Sequence, residues 1–191
     1  MSEAAVVGQE PEQEKRPTFG EEIFDWIESI VFPVIVVVLI STFVLRPAQV
    51  IGPSMEPTLH EGDRLYLTHL FYTPKRGDVV VVNSVGLSER IVKRVIALEG
   101  DTVDIDFDEG TVSVNGEVLD EPYINEPIET RERDGVEFPL TVPEGTIFVM
   151  GDNRNHSTDS RSPLVGFVSE KDIVGKVLFR IFPFDAIRLI K

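Results

Sequence analysis

The chain has 191 residues, a formal net charge of −15 and no cysteine. The missing cysteines exclude a thiol nucleophile, a disulfide scaffold and thiolate metal sites. So negative a chain is a poor nucleic-acid binder, which must neutralise phosphates, and its apolar content of 42% is that of a globular protein.

Residues 1–22 are polar and acidic and contain Pro11 and Pro17, the composition of a flexible tail. Residues 23–45 follow as an apolar segment, in which the run Ser29–Leu45, between Glu28 and Arg46, carries no charge. As a helix this run rises about 26 Å, close to the lower limit for crossing a bilayer. Pro33 lies near its start, where a missing N–H costs least. A buried core helix should show a polar face, whereas Val34 through Ile40 is apolar all round. A cleaved leader needs a basic start and a small-x-small site, which Leu45-Arg46-Pro47-Ala48 does not offer. An uncleaved transmembrane anchor is therefore expected at 23–45. Its orientation is not set by charge, because acids outnumber Lys15 and Arg16 before the run and Arg46 follows it.

After Arg46 the chain changes character. Short β-branched runs alternate with turn residues: Asp78–Val82, Ile91–Leu98, Thr102–Phe107, Thr111–Val114, Thr146–Met150 and Val174–Ile181. Asn115-Gly116 is a two-residue hairpin signal. Gly62-Asp63, Arg76-Gly77-Asp78 and Glu109-Gly110 mark further turns. Residues 46–191 are expected to form one mostly β domain, a barrel or packed sheets, with an excursion around 102–140.

Three segments could carry chemistry. In Gly52-Pro53-Ser54-Met55-Glu56-Pro57-Thr58-Leu59, prolines on both sides would hold a serine hydroxyl in a fixed direction, as a nucleophile requires. The same residues also suit an ordinary rigid loop. In Arg90 through Leu98, strand alternation puts Lys93 on one face with Ile91 and Val95. Burial there would lower its pKa and let the amine accept a proton. An edge lysine that blocks aggregation or snorkels to water is the other reading. The polar block 151–161 follows an apolar strand and is either a solvated loop or a hydrogen-bonded network under a site, with Asp159 and Arg161 as a possible ion pair. His156, with His60 and His69, leaves a Ser–His arrangement open, in which Asp159 would orient the imidazole.

In this order behind an apolar N-terminal run, the segments closely resemble bacterial type I signal peptidases of the Ser–Lys branch. The matching blocks are Pro-Ser-Met-Glu-Pro-Thr-Leu at 53–59, Arg-Gly-Asp-Val-Val at 76–80, Ile-Val-Lys-Arg-Val at 91–95, Leu-Glu-Gly-Asp at 98–101 and Met-Gly-Asp-Asn-Arg at 150–154, running on through Arg161. The resemblance implies a membrane-bound serine endopeptidase that removes signal peptides from exported preproteins. It implies Ser54 as nucleophile, Lys93 as general base, Ser157 as a support for the lysine, and Asp159 with Arg161 as a structural pair. It also places the catalytic domain on the outer face of the cytoplasmic membrane, in contact with its lipids. No metal or cofactor is implied. Apolar residues near the serine, Val50, Met55, Leu59 and Ile91, are expected to line shallow pockets for small substrate side chains.

One departure concerns the oxyanion. Where some members have a serine two residues before the nucleophile, this chain has Gly52, and Pro53 has no N–H to offer. Two rival readings of the whole chain are a self-cleaving Ser–Lys protease of the repressor type and a non-catalytic anchored β binding domain.

Overall fold

The computed structural model describes residues 19–129 and 135–190. Residues 1–18, most of the expected tail, lie outside the described residues, while 19–22 belong to a helix. The chain divides into two compact units, one ending at Ile40 and the other beginning at Ser41.

The first unit is dominated by helix α1, Phe19–Phe43. Its apolar side chains are largely exposed, Trp26 at 71% and Phe32 at 68% among them. Among the described residues no helix is long and apolar enough to cross a membrane.

The second unit is mostly β. Its strands are β1 (Arg46–Gln49), β2 (Arg64–Thr68), β3 (Val79–Ser84), β4 (Glu89–Ala97), β5 (Thr102–Asp106), β6 (Thr111–Val114), β7 (Glu117–Val118), β8 (Leu140–Thr141), β9 (Thr146–Met150), β10 (Val168–Ser169), β11 (Ile173–Phe182) and β12 (Arg188–Leu189). The described strands form two sheets. The larger runs β1-β2-β11-β3-β4-β9-β10, with β12 on β11, and the smaller runs β7-β6-β5-β8. The strands of the smaller sheet fall between Thr102 and Thr141, the part of the chain where the sequence predicts an excursion. Asn115 and Gly116, both at positive φ, turn the β6–β7 hairpin.

Strand β3 explains how the larger sheet is held. Its Val79 and Val81 join Met55, Leu59, Leu65, Leu67 and Val177 in one apolar cluster. Val80 and Val82 join Ile91, Val95, Ile147 and Val149 in another on the opposite face. A valine run buried on both faces needs no polar alternation. A third cluster, with Ile96, Val103, Val112, Phe148 and Met150, joins the smaller sheet to β4 and β9. These packed layers fix β4, and β4 carries Lys93.

Candidate active site

After β1 the chain reverses in a closed turn. Val50 donates to the Asp63 carbonyl at 2.9 Å and accepts from Gly62 at 3.0 Å. Within the turn, Leu59 N–H bonds the Met55 carbonyl at 2.8 Å. Met55 and Leu59 are both 0% exposed. Their burial pins the underside of the turn, and the buried Arg180–Asp63 pair at 2.7 Å anchors its end. Ser54 stands on this rigid support.

Lys93 is 3% exposed, in the middle of β4 and opposite Val80 of β3. Its Nζ lies 2.7 Å from Ser54 Oγ, although 39 residues separate the two in sequence. Burial strips water from the ammonium, which is the largest influence on the group, and lowers its pKa to about 8. Asp159 opposes the shift and Arg161 adds to it. A hydroxyl in contact with such an amine can pass it a proton near neutral pH.

The polar block after β9 folds under the pair. Asp159 is 0% exposed and accepts from Arg161 Nε and Nη2, both at 2.8 Å, from the Gly151 N–H at 2.9 Å and from Ser157 Oγ at 2.7 Å. Burial pushes its carboxyl up. The Arg161 fork and the other donors more than offset this and hold it below the ordinary carboxylate range. The Ser157 hydroxyl is therefore donated to Asp159.

Three residues in this block were not singled out by sequence reasoning. Asn153 holds the serine turn twice, through its N–H to the Ser54 carbonyl at 3.1 Å and through Nδ2 to the Pro53 carbonyl at 3.2 Å. Gly151 leaves no room for a side chain, since a Cβ there would stand 2.2 Å from Ser157 Oγ and 2.4 Å from the Ser54 carbonyl oxygen. Asp152 forks onto Arg94, the neighbour of Lys93, at 2.6 and 2.8 Å. The sequence signal for Gly151 is a glycine directly after an apolar strand. The other two carry no local signal.

A cleft of about 270 Å3 opens over the pair, lined by Ser54, Lys93, Val50, Ile51, Ile91 and Glu89 among others. Of the four residues expected to line substrate pockets, Val50 and Ile91 line this cleft. Met55 and Leu59 do not, because both are spent on the core beneath the turn. Ile51, 83% exposed, takes their place at the cleft. His156 also lines the cleft, but the group in contact with Ser54 Oγ is the Lys93 amine.

Comparison with known proteins decides the family. The family described as signal peptidase, peptidase S26, matches residues 23–182. The chain belongs to the signal peptidase family. A signal peptidase I of Bacillus licheniformis is 39% identical over 184 residues, covering 92% of this chain and 97% of that protein. Signal peptidase I T of Bacillus subtilis is 39% identical over 175 residues, covering 87% and 89%. A crystal structure of a signal peptidase I from Enterococcus faecalis, 34% identical, covers 55% of this chain and 97% of its own with a TM-score of 0.44. As a member of the signal peptidase family the chain is a serine endopeptidase that removes signal peptides. The repressor-type and non-catalytic readings are thereby set aside.

Proposed function

We propose that Ser54 is the nucleophile of this signal peptidase and Lys93 its general base. The observation that carries the assignment is the 2.7 Å contact between Ser54 Oγ and the buried Lys93 Nζ. Ser54 Oγ attacks the scissile carbonyl while its proton passes to Lys93. The C–N bond then breaks, the new amine takes that proton from Lys93, and the signal peptide stays on Ser54 as an ester. Lys93 next takes a proton from a water, whose oxygen attacks the ester; the bond between the acyl carbon and Ser54 Oγ breaks, Oγ regains the proton from Lys93, and the signal peptide leaves as a carboxylic acid that ionises in solvent. The Ser54 N–H serves the oxyanion. Ser157, Asp159 and Arg161 are positioning residues. They hold the floor of the site, and the opposed charges of Asp159 and Arg161 act on the lysine.

Ser54→Ala and Lys93→Ala should each abolish cleavage of a preprotein while circular dichroism and unfolding remain those of a folded domain. The double variant should be little worse than either single one, because nucleophile and base act as a unit. Appreciable turnover by Lys93→Ala sinks the assignment.

The apolar run with helix α1 is proposed as a single membrane anchor, resting on bilayer lipids, with the β unit on the extracytoplasmic side where exported preproteins emerge. Support comes from the charge-free run Ser29–Leu45 and the exposed apolar side chains of α1. The acidic first turns would lie at or beyond the interface, with Trp26 at headgroup level.

A further inference from the structure

Among the described residues the cleft over Ser54 has one acidic lining residue, Glu89. It opens β4 and is exposed, opposite Ser84 of β3. Alternation along β4 puts Glu89, Ile91 and Lys93 on one face, so its carboxylate lies on the same side of the strand as the base. Four residues of strand span about 13 Å, which is also the span of about four residues of extended peptide. The neighbouring cation, Arg90, also lines the cleft, and its Nε donates to Asn83 Oδ1 on β3 at 3.3 Å. Glu89 is also among the charges that act on the Lys93 amine, so its field reaches the reacting end of the cleft.

We propose that Glu89 is a specificity-determining residue that selects for a basic, and against an acidic, substrate side chain three to five residues from the scissile bond. The proposal rests on Ser54 and its cleft being the seat of cleavage. A substrate lying extended along β4, with its scissile carbonyl at Ser54, brings one side chain of that range past the Glu89 carboxylate. A lysine there is attracted and a glutamate repelled, and both effects weaken with salt because the site is exposed. Neutral side chains in the same place are unaffected.

The test is a competition assay on preprotein-derived peptides carrying Lys, Gln or Glu at each position three to five residues to either side of the cleaved bond. The full-length enzyme is used in detergent. At one of these positions the wild type should cleave the Lys peptide about two- to fivefold faster in kcat/KM than the Glu peptide, the scale of an exposed charge pair. Glu89→Gln should level that ratio and Glu89→Lys should reverse it, each ratio being taken between peptides within one enzyme so that any effect of the substitution on the Lys93 amine cancels. Raising the salt should level the wild type as well. Equal ratios in wild type and Glu89→Gln overturn the proposal. So does a Lys preference that survives Glu89→Lys. If Ser54→Ala still cut these peptides, the site assignment itself would fail, which is a separate outcome.

Discussion

Lys93 is the residue at which stability and function pull apart. Its amine is buried at a cost, and the cost has a definite pH window. Below about pH 8 the folded protein must hold a charged ammonium that an unfolded chain, with a lysine pKa of 10.5, holds freely. The full penalty applies there, shrinks between about 8 and 10.5, and vanishes above. At about 1.4 kcal/mol per tenfold change in proton affinity, it is on the order of 3 kcal/mol. Lys93→Met should therefore be inactive yet more stable to urea at pH 7, by up to about 3 kcal/mol less the lost Ser54 contact. The gain should fade as the pH approaches 10.5. A Lys93→Met protein less stable than wild type at pH 7 contradicts this account of the burial. Gly151 is the second such residue. Gly151→Ala puts a methyl 2.4 Å from the Ser54 carbonyl oxygen, so the serine turn must shift. Loss of kcat on the order of 100-fold, with KM nearly unchanged, is expected from misplacing the nucleophile by about 1 Å.

At the scale of elements, strand alternation made much of the β unit legible. The expected runs at 78–82, 91–98, 102–107, 111–114, 146–150 and 174–181 each overlap a strand, and the facial reading that grouped Ile91 with Val95 matches their shared apolar cluster. Pairing was not legible. β11 inserts between β2 and β3, about a hundred residues away in sequence, and only long-range packing selects that order. The same limit explains Met55 and Leu59. Being apolar beside the serine, they suited either a cleft or a core, and only the burial of the turn assigns them to the core. The polar block at 151–161 suited a solvated loop as well as a network, and neither its burial nor its partners were legible. One of those is the connection after β7, where Glu121 takes both terminal nitrogens of the buried Arg154. Arg154→Ala strands the Glu121 carboxylate in a buried place, at a cost of about 3–5 kcal/mol. Limited proteolysis should then cut between residues 119 and 129 faster than in wild type. Glu121→Ala leaves the Arg154 charge behind and should be similarly harmful.

The whole molecule joins an acidic catalytic unit to an apolar N-terminal run. The β unit holds 25 of the 33 acidic and 16 of the 18 basic residues, a net charge of −9 that works against adhesion to anionic headgroups, so in the proposed arrangement attachment to a bilayer falls to the helix. Alkaline carbonate should leave the full-length chain in the membrane pellet, and a chain shortened to begin at Arg46 should appear in the supernatant. Release of the full-length chain counts against the anchor. The central claim is that the Lys93 amine takes the Ser54 proton, and the pH dependence of kcat/KM on one preprotein tests it most directly. The account predicts an ascending limb with an apparent pKa near 8, unchanged in His156→Ala. A profile flat from pH 5 to 10, or a limb that moves when His156 is replaced, would contradict it.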